Sequence, residues 1–82
     1  MSNPDCFSEK VGKFELKLIS EKENIGLVQI SRYKVSIIPD GEDEREILSC
    51  DDYCKACRLF MMIEVSGDWK NYQQFLNFLD GK

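Results

Sequence analysis

The spacing of apolar residues changes once along this chain, from a period of two to the period of an α-helix, and this change limits the folds available to it. In residues 13–20, Phe14, Leu16 and Leu18 alternate with charged or polar side chains, which is typical of a half-buried strand. Residues 27–38 form a second β-rich run. In the last third of the chain, the apolar residues recur at helical spacing. The sequence therefore predicts strands first and helices last.

Two helices are predicted in the last third of the chain. Ser49 is the expected N-cap of the first, with Asp52 completing a capping box, and residues 50–65 form its body. Gly67 is suited to the left-handed position that ends it. Asp68 is the expected N-cap of the second helix. The apolar residues of that helix are Trp69, Tyr72, Phe75, Leu76, Phe78 and Leu79.

The predicted fold class is α+β: a small antiparallel sheet of two or three strands covered by a C-terminal helical hairpin, in the order β-β-(β)-α-α. The optional third strand is short and lies at residues 47–48. Residues 59–65 are almost wholly apolar, so a strand there is an alternative that gives the order β-β-α-β-α. Residues 1–11 are expected to be a flexible N-terminal arm, and residues 12–82 a single α+β domain.

The second β-rich run contains a break in its alternation. Val28 and Ile30 occupy even positions, whereas the apolar residues from Tyr33 onward occupy odd ones. A slip of one residue moves side chains to the other face of a sheet. We therefore expect a bulge or tight bend near residues 31–32 that keeps both sets in one core.

Composition and charge limit the function classes. The chain of 82 residues has no histidine, so it lacks the commonest general base and metal ligand, and we predict that it is not an enzyme. Its net charge is −4, with +1 in residues 1–38 and −5 in residues 39–82, so direct nucleic-acid binding is not expected. No apolar run approaches the ~18 residues of a membrane span. The polar N-terminus lacks the apolar segment of a signal peptide, so a cytoplasmic protein without membrane contact is expected.

Aromatic and acidic side chains are the candidate partner-binding groups. The apolar arc of the second predicted helix is wider than a core-facing stripe needs, and aromatic residues dominate binding energy at protein interfaces. Acidic residues steer basic partners. The predicted function is a small acidic, non-enzymatic protein-binding module, an inhibitor or regulator that occupies a basic surface of a partner protein. A homodimer formed through the aromatic arc is also considered. The predicted partner-binding residues are Trp69, Tyr72, Phe78, Glu42, Asp43, Glu44 and Asp51.

An alternative function rests on the four cysteines. Cys50, Cys54 and Cys57 have the spacing C-x3-C-x2-C, and Cys6 can supply a fourth thiolate for zinc or an iron–sulfur cluster. The chain would then be a metal-stapled domain whose folding depends on the metal. The same spacing places the three cysteines on one helix face with Met61, where cysteine packs as a small apolar residue. Packing without a cofactor is therefore the favoured interpretation.

Overall fold

The computed structural model describes residues 5–81, which form an antiparallel sheet followed by two helices. The strands are β1 (Asp5–Val11), β2 (Phe14–Ile25), β3 (Val28–Pro39) and β4 (Arg45–Cys50), and the helices are α1 (Tyr53–Ser66) and α2 (Tyr72–Leu79). The four strands lie in the sheet in sequence order, each antiparallel to its neighbour. The predicted α+β class is confirmed, but the sheet has more strands than the two or three expected.

The additional strand is β1, which occupies residues that were expected to belong to a flexible arm. It pairs with the first half of β2 over its whole length. The side chains from Cys6 to Lys10 are all exposed, so this segment carries no alternation of buried and exposed groups that would predict a strand. Residues 1–4 of the expected arm lie outside the described residues.

The apolar core lies between one face of the sheet and α1. The buried strand residues come from β2 and β3, at the positions that the alternation of the sequence predicts. The core consists of Phe14, Leu16, Val35, Ile37, Ala56, Leu59, Phe60 and Ile63. None of the residues of α2 is fully buried. Its side chains Tyr72, Phe75, Leu76 and Leu79 are half-buried against the core, so α2 closes the side of the core rather than building its centre.

Helix α1 begins later than the sequence predicts and ends where it predicts. Ser49 belongs to β4, so the expected capping box is wrong. Asp52 is the N-cap instead, and its carboxylate accepts a hydrogen bond from the backbone N–H of Lys55 at 3.2 Å. Gly67 ends the helix in the left-handed conformation, with a φ of 73°. Residues 59–65 are helical, so the alternative strand there is wrong.

Helix α2 also begins later than predicted, at Tyr72. Asp68 does not cap it, because its carboxylate accepts a hydrogen bond from the backbone N–H of Lys70 at 2.9 Å and closes the turn before the helix. Lys55 near the start of α1 forms an ion pair with Asp80 at the end of α2. The two helices therefore run antiparallel, as the predicted helical hairpin requires. Within residues 5–81, neither helix has the length and apolar character needed to cross a membrane.

The bulge of the sheet lies in β4 and not in β3. Strands β2 and β3 pair without interruption over their whole length, so the bulge expected near residues 31–32 is wrong. The register shifts between β3 and β4, where Ile47 is the extra residue between Glu46 and Leu48. Ile47 and Leu48 are both half-buried against the core. Strict alternation would send one of these neighbours to the opposite face, so the bulge brings an additional apolar side chain to the core.

Candidate protein-binding surfaces

The long β2–β3 hairpin projects beyond the rest of the sheet. β1 pairs with β2 only as far as Ser20, and β4 pairs with β3 only from Tyr33 onward. Residues 21–32 therefore form a two-stranded segment, which we call the hairpin arm, and no third strand of the described chain pairs with it. At about 3.3 Å per residue, its five opposed pairs span roughly 17 Å. That length is a large part of the longest molecular dimension of 41 Å.

The tip of the hairpin arm is apolar and exposed. Gly26, with a φ of 63°, and Leu27 make a two-residue turn between the paired residues Ile25 and Val28. Glycine at the first turn position is typical of the type II′ turn that joins tight hairpins. The side chains of Ile25 and Val28 are 59% and 61% exposed, and Leu27 is 107% exposed. Contiguous exposed apolar side chains, unlike scattered ones, mark interaction sites.

The shaft of the hairpin arm is polar and carries no net charge. Its ionisable residues are Glu21, Lys22, Glu23 and Arg32, two acidic and two basic. At the base of the arm, Glu21 pairs with Lys34 at 3.4 Å. The arm therefore presents an apolar tip on a polar support, and its charges neither attract nor repel a partner strongly.

Of the three predicted aromatic anchors, only Phe78 is largely exposed. Trp69 and Tyr72 are half-buried and pack against the core. The guanidinium of Arg45 lies over the Trp69 ring, 5.5 Å from its centroid, in a cation–π arrangement. Phe78 is 72% exposed. Phe78 is therefore accessible to a partner, whereas most of the surface of Trp69 and Tyr72 is in contact with the rest of the chain.

The predicted acidic group is partly neutralised by cations of the chain itself. Glu42 pairs with Arg45 at 2.9 Å, and Glu44 pairs with Lys17 at 3.2 Å. The hydrogen bond and the charge of Glu44 raise the pKa of Lys17, because both favour its charged form. Asp43 is exposed, and no ion pair among residues 5–81 involves it. The loop therefore has less negative charge to offer a basic partner than its sequence indicates.

Cys6 lies apart from the other three cysteines. Its neighbour Phe7 faces the helices, where its ring packs edge-on against Phe60 with 5.5 Å between the centroids. Because successive strand residues point to opposite faces, Cys6 lies on the open face of the sheet, away from α1. The structure therefore does not bring the expected fourth ligand to the helix that carries two of the others.

The remaining cysteines do not form one stripe. Cys50 ends β4 and packs against the core, and its thiol donates a hydrogen bond to a backbone carbonyl at 3.4 Å. On α1, Cys54 is exposed and Cys57 is half-buried, whereas Met61 is 60% exposed. Asp51, the last of the predicted acidic residues, is exposed just before the helix. Among residues 5–81, no three Cys, Asp or Glu side chains lie close enough together to hold a metal ion.

The hairpin arm is not among the sites predicted from the sequence, although the sequence carries a signal for it. Val28 and Ile30 are out of phase with the later residues of their strand. That phase predicts a bulge only if both side chains belong to the core. In the structure, Val28 lies beyond the part of the sheet that the helices cover and remains exposed. Apolar residues that break the alternation of a strand can therefore indicate a segment that projects from the core.

Comparison with known proteins gives no relative. No family model matches the chain, and neither a curated protein nor a solved structure matches it.

Proposed function

We propose that this protein is a non-enzymatic protein-binding module that inserts the tip of its hairpin arm into an apolar pocket of a partner protein. The observation that carries this proposal is the exposure of Ile25, Leu27 and Val28 together at the end of a projecting hairpin. These side chains are remote from the core, so their apolar character is not needed for folding. Burial of these three apolar side chains by a partner would contribute to the free energy of binding.

The geometry of the arm is suited to insertion. Full burial of a leucine, isoleucine or valine side chain contributes about 1.5–3 kcal/mol. The two-residue turn and the ladder of paired residues hold the three side chains at fixed positions before binding. Pre-organisation lowers the entropy cost of association, so a small apolar tip on a paired hairpin can bind more tightly than the same residues in a disordered loop.

Charge favours a protein partner over a nucleic acid or a lipid surface. The chain has a net charge of −4, which opposes binding to phosphate-rich surfaces. The arm contributes no excess of cations that would offset this repulsion. The expected partner has an apolar pocket with a neutral or basic rim. Asp43 and Asp51, which are exposed, add a long-range attraction to such a rim.

A module of this kind acts by occupying a surface, as an inhibitor or regulator does. It needs no general base or nucleophile of its own, and the chain has no histidine. The shape of the arm sets the specificity, because the pocket must accept Leu27 at the turn and the two branched side chains behind it.

The test is a quantitative capture experiment with tip and control variants. A photo-crosslinking amino acid at position 27 identifies what the tip touches, and the same amino acid at Gln73, an exposed position on α2, is the control. Captured proteins are then compared between the wild type, Leu27→Asp and Val65→Asp. Val65 is 84% exposed on α1, so its replacement makes the same change of polarity away from the arm.

The expected result is a protein that crosslinks at position 27, is retained by the Val65 variant and is lost with Leu27→Asp. Retention by both variants would show that the tip is not the binding element. Co-sedimentation with vesicles of anionic phospholipid is measured in parallel. Wild-type binding to the vesicles that Leu27→Asp abolishes would replace the proposed protein partner with a membrane surface.

A further inference from the structure

The β3 edge of the hairpin arm is open beyond the end of β4. The last residue of β4, Cys50, lies opposite Tyr33, and the chain then leaves the sheet and enters α1. Over residues 28–32, no strand of the described chain pairs with this edge of β3. The position in line with β4 is therefore open to a further strand.

A cleft accompanies this open edge. Its volume is about 540 Å³, which is within the range of ligand pockets in proteins. One wall is the edge of β3, and the other is the end of β4 with the residue that follows it. The cleft is lined by Gln29, Ile30, Ser31, Arg32, Cys50 and Asp51. The three tip residues of the proposed function are not among them, so the cleft is a separate site.

The register of the hairpin determines which backbone groups face the cleft. Ile25 and Val28 flank the two-residue turn, and in such a hairpin the flanking residues exchange backbone hydrogen bonds with each other. Hydrogen-bonded and non-hydrogen-bonded pairs then alternate along the uninterrupted ladder. Gln29 and Ser31 belong to non-hydrogen-bonded pairs, so their N–H and C=O groups point away from β2 and towards the cleft. The next residue of the same phase, Tyr33, is paired with β4.

The residues of this edge do not protect it against a further strand. Proteins protect the edges of sheets with charged side chains, prolines or bulges. Residues 28–31 are Val-Gln-Ile-Ser, and their pairing with β2 has no bulge, so the stretch lacks all three. By contrast, the other edge of the arm has three successive charged residues at 21–23, and β1 has Glu9 and Lys10. The outer strand β4 has the bulge at Ile47.

We propose that the cleft binds an extended segment of another protein, which adds to β3 as an antiparallel strand in line with β4. Two N–H donors and two C=O acceptors at alternate residues match the backbone of a strand, and addition of a strand to an exposed edge is a common mode of peptide recognition. β4 itself has the antiparallel orientation, which is the more stable one per residue.

The side chains of the cleft indicate the composition of the segment. Residues that are opposed across a strand pair point to the same face, so the residue opposite Ile30 should be apolar, and those opposite Gln29 and Ser31 should be polar. The cleft contains one cation and one carboxylate, Arg32 and Asp51. Their charges cancel, so a segment of alternating apolar and polar residues without net charge fits the site.

A peptide segment fits this position better than a second copy of the chain. Antiparallel pairing of the stretch with itself, centred on Ile30, places Leu27 of one copy opposite Tyr33 of the other, where Cys50 already lies. The other open edges of the described sheet have the charges or the bulge that oppose pairing. An extended peptide carries no hairpin tip and can leave the sheet beside Asp51.

The test selects a ligand from a phage library of random heptapeptides with the reduced wild-type protein and locates it with proline variants. Gln29→Pro removes one N–H that faces the cleft and leaves the hydrogen bonds between β2 and β3 in place. Asn24→Pro is the matched control, because Asn24 is paired with Gln29 and its N–H faces the opposite edge of the arm. Circular dichroism checks that both variants fold. Calorimetric titration measures the affinity of the selected peptide for the wild type, both variants and Leu27→Asp.

We expect the selected peptides to have apolar residues at alternate positions. Gln29→Pro should weaken their binding about tenfold, because a carbonyl of the peptide loses its donor, whereas Asn24→Pro should bind as the wild type does. Leu27→Asp should also bind normally, which distinguishes this site from the tip. The proposal is overturned if no peptide is selected, if both proline variants weaken binding equally, or if Leu27→Asp abolishes it.

Hydrogen exchange of the wild type decides the matter if a proline variant does not fold. The selected peptide should slow the exchange of the Gln29 and Ser31 amides and leave those of Lys22 and Asn24 unchanged. Unchanged exchange at Gln29 and Ser31 would contradict the proposal. Slowing that follows the protein concentration without any peptide would replace the peptide by a second copy of the chain and would contradict it equally.

Discussion

Two leucines at the extremes of burial give the most direct test of the structure. Leu59 is 0% exposed in the core, whereas Leu27 is 107% exposed at the hairpin tip. Replacement of a buried leucine by alanine costs about 2.7–5 kcal/mol, because it removes transfer free energy and leaves a cavity. Surface substitutions usually change stability by less than about 0.5 kcal/mol. Leu59→Ala and Leu27→Ala are therefore expected to differ by at least about 2 kcal/mol.

The difference is large relative to the stability of so short a chain. A domain of 82 residues has an unfolding free energy of about 4–12 kcal/mol, from roughly 0.05–0.15 kcal/mol per residue. Urea unfolding under reducing conditions, followed by circular dichroism, measures both variants. With an m-value of about 1 kcal/mol/M, the midpoint should fall by about 3 M urea for Leu59→Ala and by less than about 0.5 M for Leu27→Ala.

The comparison also separates folding from binding. Leu27→Ala should keep the wild-type midpoint and lose capture of the partner. A loss of more than about 1 kcal/mol on Leu27→Ala, beyond the usual range for exposed positions, would show that the tip packs against the chain and would refute the projecting hairpin arm. Equal midpoints for both alanine variants would refute the assignment of Leu59 to the core.

Four further outcomes follow from local features. The carboxyl of Glu9 and partial burial raise the pKa of Glu64 above its usual value of 4.5. Because the folded state then binds the Glu64 proton more tightly than the unfolded state, the free energy of unfolding falls as the pH rises through the raised pKa. Glu64→Gln should remove this decrease from a plot of unfolding free energy against pH. Asp52→Ala removes the N-cap of α1 and should cost about 1 kcal/mol in urea unfolding, whereas Asp51→Ala next to it should cost less than about 0.5 kcal/mol. Gly67→Ala forces a side chain into the left-handed region at a φ of 73° and should lower the free energy of unfolding by about 1–2 kcal/mol. Native mass spectrometry of the reduced protein should give the mass of the bare chain, and a stable zinc increment would support the metal-stapled alternative.

The fold class was predictable because burial leaves a clear pattern where the core is. Leu16 alternates with charged neighbours, and the buried face of α1 repeats at helical spacing around Leu59. β1 was not predictable, because an exposed edge strand has no buried face to impose alternation. One face of β1 is partly apolar and carries Phe7 and Val11, with Glu9 between them. The bulge at Ile47 was missed because a run of two adjacent apolar residues fits a short regular strand equally well.

The candidate site was harder to predict than the fold. The sequence predicts Trp69 as an anchor because aromatic residues dominate binding energy at interfaces, but in the structure its ring packs against the core and lies under Arg45. The sequence predicts that the carboxylates of Glu42 and Glu44 attract a basic partner, but it does not show that Arg45 and Lys17 lie beside them. The sequence predicts Leu27 as the first residue of the second β-rich run, where its apolar side chain does not indicate exposure. An apolar side chain that is available for binding can be told from one that packs in the core only when its distance from the core is known.

The order of elements along the chain has a consequence for its synthesis. All four strands precede α1, and α1 supplies half of the residues that bury the inner face of the sheet. A chain emerging from the ribosome therefore exposes Leu16, Val35 and Ile37 before α1 is available to cover them. Throughout that interval the sheet has both an open edge and an uncovered apolar face, the combination that favours aggregation of nascent chains. Packing of α1 on the sheet ends this exposure, because α1 supplies half of the core residues.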